Sequence, residues 1–580
     1  SLKKAYETHL LSCPNSPWAD WVFEELRRLA KHDIDGVFSD GPAGACSCSN
    51  CKEAFRRKYG YPWPVDVDDG GREASDMRAF DIDTRVRFMK RFCETLKAVR
   101  PEAICYQNLD VFGYSAEPFL PYNDLVGSEG GFMFYGPPSK AYLWKTSLRA
   151  KALASCARGK PTVIFAAGDQ KSWSCYLHAP AETKLMYAAS IANGASVWYG
   201  LHCSSENMRR PGGLAAGEFN RFHADHEYCY ADTESAANVA ILNSMATRAH
   251  YRTTSEASDF YSAKGSGKAV GPGDIASSTE GFAAMLYRTQ IPFDFISEET
   301  LAEGTPARYK CIVLPTCACL SEKLLERLRT FVQEGGLLIA SLDTSLFDEK
   351  GTRRGDFGLA DVFGAGINED VLVFHDFNYF EFAEGAPAPF NGFQVRLAQA
   401  PAIGLNVKAT TAEVVGVYHA PLPGRYEPMT PLASPAVLWN SFGKGRCLYL
   451  AGTFGEFYSD YACLEYEQMV ANAIRCHAAP PVRVMNAPPS LEITLRRKRD
   501  GSAVVCHLIN YTGGMVRPIQ ESVSLLNLEL RFRADLFEKP PARFRSLGEA
   551  KDLNACAADG EFVVTAPGLF EYDVILVPRD

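Results

Sequence analysis

Residues 35–51 read DGVFSDGPAGACSCSNC. The apolar run Ile34, Val37, Phe38 ends in a carboxylate, Asp40, followed at once by Gly41-Pro42 and then by Cys46-x-Cys48-x2-Cys51. A buried strand that hands an acidic side chain to a Gly/Pro turn at its C-terminal end is how a (β/α) barrel presents a catalytic residue. Asp40 could equally cap only the loop or the following helix. The cysteines beside it and the strands further on favour an active site.

Working outward, WADWVFEELRRLAK (18–31) places Trp18, Val22, Leu26 and Leu29 at helical spacing just before this strand. Downstream, a helix over 76–99 leads to a strand over 103–107 that ends near Asn108 and Asp110. A short strand over 124–128 ends at Glu129-Gly130-Gly131. A helix over 141–156 precedes a strand over 162–167 ending at Gly168-Asp169, and a helix over 181–193 precedes a strand over 195–201 ending at His202. Strand and helix alternate, and each strand ends in polar residues or Gly. This is the repeat of a (β/α)8 TIM-type barrel with its working face at the strand C-termini. Five units are legible. The expectation is therefore an incomplete barrel over 1–232, whose first strands, roughly a hundred residues, lie outside the sequence or come from another copy.

At 580 residues the chain calls for several domains. Strand and helix patterns continue over 233–480 as an open, flavodoxin-like α/β domain, with Gly335-Gly336 closing the helix over 322–333. Pro480-Pro481 reads as a linker, and short β-rich runs over 481–580 suggest a β-sandwich. Hydrophobic residues at 47% and a net charge of −9, without a basic stripe, exclude nucleic acid as the expected partner. No run of eighteen apolar residues occurs, so no membrane span is expected. Eighteen cysteines scattered through apolar runs suit reduced thiols and a cytoplasmic setting. The N-terminus lacks the apolar stretch of a signal peptide.

Glycosidic hydrolysis needs two carboxylates flanking the bond, about 5–5.5 Å apart where one of them attacks carbon. Asp40 and Glu129, on strands two apart, are the candidate pair. Asn108, Asp110, Asp169 and His202 are candidate sugar-binding groups, and Tyr106, Phe132, Tyr135, Trp173, Trp198 and Tyr199 offer flat faces for stacking on sugar rings. Cys46, Cys48 and Cys51 have metal-ligand spacing. Cys13, in LSCPNSPW, would supply the fourth thiolate of a structural zinc, while reduced thiols without metal remain open. A catalytic cofactor is not expected. Pro315-Thr316-Cys317 lacks the surroundings of a nucleophile elbow.

CPNSPW, DGVFSDGP, CSCSNCKEAFRRKYG and IVLPTCACLSEKLLERLRTFVQEGGLLIASLDTSLFD together resemble bacterial glycoside hydrolases that join a catalytic barrel to a domain like the trimerisation domain of family 42 β-galactosidases. The resemblance implies a zinc site at Cys13, Cys46, Cys48 and Cys51. The barrel departs from family 42, because strand ends carrying Asn-Glu and Glu in that family carry Ser39-Asp40 and Gly168-Asp169 here. Asp-Gly after the strand instead resembles the Phe-Asp-Gly of α-L-fucosidases of families 29 and 151, which implies Asp40 as nucleophile and Glu129 as acid/base of a retaining hydrolase acting on an α-L-fucoside. A family 42-like β-galactosidase and a non-catalytic carbohydrate-binding scaffold are the alternatives. A homo-oligomer is expected, trimer before dimer, with Phe374, Phe377, Tyr379 and Phe380 of VFHDFNYFEF as candidate contacts.

Overall fold

The computed structural model describes residues 12–41, 44–65, 72–130, 144–170, 175–201, 205–251, 271–373, 378–393, 395–420, 426–513 and 518–579. Helix α1 (Pro17–Leu29) begins with proline in its first turn, where a missing N–H costs nothing, and Ser16 Oγ accepts from Trp18 N. Its buried stripe of Ala19, Phe23 and Leu26 packs on Phe88 of the long helix α3 (Arg72–Lys97), with Trp18 stacked on the same ring. Between them lie β1 (Gly36–Ser39) and α2 (Ser49–Tyr59). After α3 come β2 (Ile104–Gln107), β3 (Val126–Glu129), α4 (Lys145–Cys156), β4 (Thr162–Ala167), α5 (Pro180–Ile191) and β5 (Ala195–Gly200).

The five strands are parallel and run in chain order. β1 pairs with β2, and β3, β4 and β5 pair in turn. A parallel bridge from Asn108 to Gly127 joins the two groups. All five C-terminal ends therefore share one side, as the sequence pattern requires. Among the described residues the set does not close into a ring, and β1 pairs only with β2. Its other side borders an open hollow of about 630 Å³, walled by Trp18, Val22, Leu29, Phe88 and Phe92.

A three-residue strand, β6 (Thr233–Ser235), leads out of this region. Next come β7 (Val239–Asn243), β8 (Phe293–Ser297), β9 (Cys311–Leu314), β10 (Leu337–Ser341), β11 (Ala365–Val373), β12 (Tyr379–Phe382), β13 (Leu397–Gln399), β14 (Ile403–Ala409), β15 (Glu413–His419), β16 (Pro431–Phe442) and β17 (Gly445–Leu450). Nine of them form one mixed sheet in the order β13-β12-β15-β16-β17-β10-β9-β7-β8. The parallel part, β8-β7-β9-β10-β17, has the flavodoxin-like order. The sequence patterns at 238–242, 311–314, 337–340 and 446–450 mark four of these five strands. They do not mark β8 or the antiparallel wing.

That wing corrects one expectation. Phe374 and Phe377 lie outside the described residues. Phe380, however, is fully buried against Phe382, Phe454 and Tyr466, and Tyr379 is half-buried on the alternate face of β12. Phe380 is therefore core and not an exposed contact. The alternation of β12, with Phe380 and Phe382 inward, is the period-two signature of a half-buried strand.

The C-terminal part packs a four-stranded sheet on a six-stranded one. Phe532, Leu530 and Val564 from the first meet Leu495, Cys506 and Ile575 from the second in one apolar cluster, which makes a β-sandwich. β6 belongs to its six-stranded sheet, with Ser235 opposite Arg496, although the sequence places residues 233–235 with the middle domain. A buried polar knot ties α4 to this sandwich. Lys151 Nζ lies 3.8 Å from Glu492 Oε1 and donates to Asn193 Oδ1 at 2.7 Å, while Tyr511 OH donates to Glu492 Oε2 at 2.8 Å. Two buried opposite charges with their hydrogen bonds satisfied fix one arrangement of these parts.

Candidate active site

Side chains alternate along a strand, so residues two apart share a face. Counting back two from each strand-end residue gives Phe38 below Asp40, Tyr106 below Asn108 and Gly127 below Glu129. On β4 and β5 the same face carries Phe165 and Trp198, which the register sets beside Glu129. These rings do meet. Phe38 lies 5.1 Å from Tyr106, 5.1 Å from Phe165 and 5.3 Å from Trp198, and Phe165 lies 4.9 Å from Trp198 edge-on. Gly127 makes this possible, since a Cβ there would stand 2.2 Å from the Phe165 ring. The inner face of the five strands thus carries an aromatic floor, and Trp198 keeps 49% of its surface open to solvent.

On the next level up sit Asp40, Asn108 and Glu129. Asn108 Nδ2 donates to Asp40 Oδ1 at 3.2 Å and to Glu129 Oε1 at 3.1 Å. The two carboxylate oxygens can be no further apart than the sum of these distances, about 6.3 Å. That bound falls below the roughly 6.5–9.5 Å of carboxyl pairs that leave room for a water between them. Asp40 is exposed, whereas Glu129 and Asn108 are half-buried. Two residues beyond Phe165 and Trp198, β4 and β5 end in Ala167 and Gly200, which bring little or no side chain to that face.

Other expected groups lie elsewhere. Asp110 accepts from Phe112 N at 3.2 Å and pairs with Arg149 Nη1 at 3.6 Å, so it closes its own turn and faces α4. Asp169 is buried at the end of β4 beneath its own hairpin, where Gln170 N donates to Tyr176 O and His178 N to Gly168 O. Tyr199 points to the outer face and packs on Tyr187 of α5. Tyr135, Trp173, His202 and Phe132 lie outside the described residues. Phe38 and Phe165 escaped the sequence reading, although two steps back from Asp40 leads to Phe38.

The four cysteines converge. Cys13 Sγ lies 3.4 Å from Cys51 Sγ and 3.4 Å from Cys48 Sγ, and Cys46 Sγ lies 3.8 Å from Cys51 Sγ. All four sulfurs fall within 4.8 Å of one another. Four sulfurs each about 2.3 Å from a tetrahedral zinc stand about 3.8 Å apart, so the set fits such an ion. Cys46 N and Asn15 Nδ2 each donate to Cys51 Sγ at 3.3 Å. Burial raises the Cys48 thiol, but hydrogen bonds from the Cys51 backbone and from Cys46 and Cys13 outweigh it and bring it down to about 7. Phe55, ringed by Tyr59, Tyr61, Trp63 and Phe80, forms a small core beneath the cluster.

Comparison with known proteins places one family in the middle of the chain and a fold likeness over nearly all of it. Residues 237–468 match the family model of the β-galactosidase trimerisation domain. A curated relative, β-galactosidase BglY of Alicyclobacillus acidocaldarius, is 29% identical over 206 residues, which are 33% of this chain and 26% of that protein. The chain thus spans about a quarter of the length of this relative. Among solved structures, α-L-fucosidase isoenzyme 2 from Paenibacillus thiaminolyticus aligns over 98% of this chain and 81% of its own, with a TM-score of 0.75 and 18% identity. β-Galactosidase from Bacillus circulans sp. alkalophilus aligns over 98% and 83%, with a TM-score of 0.69 and 17% identity. At these identities the likeness is one of fold. No helix among the described residues is long and apolar enough to cross a membrane.

Proposed function

We propose that the chain is a retaining glycoside hydrolase acting on a terminal sugar, with Asp40 as nucleophile and Glu129 as acid/base. The observation that carries this reading is the Asn108 amide held between the two carboxylates, which keeps the two bonded oxygens within about 6.3 Å of each other. In such a reaction Asp40 attacks the anomeric carbon while Glu129 protonates the departing oxygen. Glu129 then takes a proton from the water that releases the sugar. Trp198 and the aromatic floor support stacking of the ring. The fold likeness to a fucosidase and the β-galactosidase matches favour α-L-fucosides and β-D-galactosides equally. Hydrolysis of both aryl glycosides by wild type, Asp40→Ala and Glu129→Gln tests the assignment. Full activity in Asp40→Ala with either substrate would overturn it.

The same reading includes a structural zinc on Cys13, Cys46, Cys48 and Cys51, which would pin the loop after β1 that carries Asp40. It also includes a cytoplasmic, thiol-reducing setting and a homo-oligomer, trimer first, built through the middle domain. The hollow beside β1 is where further strands of a (β/α)8 barrel, or a neighbouring copy, would pack.

A further inference from the structure

The loop that follows Asn108 is held from two sides, and one of them belongs to the middle domain. Asn108 N donates to Ser39 O at 3.0 Å and Leu109 N to Gly127 O at 2.8 Å, so the chain stays tied to β1 and β3 as far as Leu109. It then turns on Asp110, whose carboxylate takes the Phe112 N–H and pairs with Arg149 of α4. From the other side, Asn243 at the end of β7 donates its Nδ2 to Val111 O at 3.1 Å, and this bond is buried. Arg248, in the short helix Met245–His250, donates its Nε to Asn243 Oδ1 at 3.2 Å. A guanidinium can only donate, so the bond fixes the Asn243 amide with its oxygen towards Arg248 and its N–H towards Val111. The guanidinium groups of Arg248 and Arg149 also stand 5.0 and 4.8 Å from the Phe112 ring centroid. Phe112 packs edge-on against Phe295 of β8 at 5.9 Å.

We propose that Asn243 and Arg248 are positioning residues for hydrolysis, resting on the reading of Asp40 and Glu129 as the reacting pair. They hold Val111 and Phe112, three and four residues beyond Asn108, and through this loop they keep the Asn108 amide within reach of both carboxylates. Breaking the buried Asn243 bond leaves the Val111 carbonyl without a partner, so the loop must shift to find one. A shift at Val111 is passed to Asn108 over three residues of chain. Both residues lie within 237–468, the part that matches the trimerisation-domain model, so this domain takes part in the catalytic geometry.

The test is a double-mutant cycle in steady-state hydrolysis of the aryl glycosides, with hydrogen exchange of the intact chain alongside. Asn243→Ala should lower kcat roughly tenfold and leave KM within about twofold, since misplacing a reacting group costs rate and not affinity. In the Asn108→Ala background the same substitution should lower kcat by less than about twofold, because the group it positions is already gone. A residue that only stabilised the fold would multiply the two losses. Exchange at the amides of 108–113 should speed up in Asn243→Ala, while β4 and β5 exchange as in wild type. Asn243→Asp keeps the oxygen that Arg248 holds and loses the donor to Val111, so it should repeat the loss even if Asn243→Ala fails to fold. Arg248→Lys, which still donates, should keep more of kcat than Arg248→Met. Multiplied losses in the cycle overturn the proposal, as do wild-type kcat in both Asn243 variants or unchanged exchange at 108–113. Full activity in Asp40→Ala would remove the reading of the reacting pair itself. An inactive Asp40→Ala with multiplied losses in the cycle would remove only the positioning role.

Discussion

Replacing Asn108 with Ala removes both hydrogen bonds that hold the carboxylate pair, at 3.2 and 3.1 Å. A hydrogen bond to a charged group contributes about 1.5–3 kcal/mol. Asp40 is exposed, so water replaces most of its share, while half-buried Glu129 loses more. A loss of about 2–3 kcal/mol in holding the reacting geometry corresponds to a roughly 30–150-fold fall in kcat/KM. The loss should appear in kcat, because the amide orients the acids and does not add to substrate affinity. Asn108→Asp should be worse, since a third carboxylate has no N–H to donate and repels its two neighbours. The assay is steady-state hydrolysis of the active aryl glycoside, with thermal unfolding of each variant alongside. Asn108→Ala activity within about threefold of wild type, or a loss fully matched by a lowered Tm, would refute the bridging role.

Further outcomes follow from the same structure. Elemental analysis should find one zinc per chain, and a chelator should lower the Tm before it alters kcat. Cys51→Ser should behave like the chelated protein. Burial raises Glu456 and Glu298 to about 7 and Asp343 to about 6, against hydrogen bonds that lower them. Each binds its proton more tightly in the fold than in the unfolded chain. Their contribution is therefore fully present below the unfolded pKa, near 4, and is lost as pH rises to about 7. Urea unfolding should show Glu456→Gln removing part of this slope, on the order of 3 kcal/mol between pH 4 and pH 8. An identical pH profile in the variant would refute the assignment. Gly127→Ala must displace the Phe165 ring; KM should rise and stability fall by about 1–3 kcal/mol, as read by substrate titration and urea unfolding.

Much of the strand-end geometry was legible because the signal is local. Ile34 to Asp40, Thr162 to Ala167 and Ala195 to Leu201 are apolar runs closed by polar or Gly residues, and these fix where a parallel strand ends. The convergence of Asp40 with Glu129 follows from that order. The Asn108 bridge does not, because it depends on side-chain reach between β1, β2 and β3. β6 was missed because three residues, Thr-Glu-Ser, carry no periodicity, and only pairing with Arg496 to Lys498 makes them a strand. The antiparallel wing is poorly legible because the aromatic richness of VFHDFNYFEF obscures the alternation that Phe380 and Phe382 follow inward. Asp110 illustrates a limit of strand-end reasoning. An acid just past a strand can be captured by its own turn and by Arg149, a residue distant in sequence.

The most direct test of the central claim is covalent trapping of the nucleophile. The protein is incubated with activated 2-deoxy-2-fluoro fucosyl and galactosyl donors, followed by intact-mass measurement and peptide mapping. The account predicts one glycosyl adduct per chain, on the peptide carrying Asp40, formed with only one of the two donors and absent in Asp40→Ala. An adduct on Asp169 or Glu129 would contradict it, as would turnover of the aryl glycoside with inverted product and no adduct.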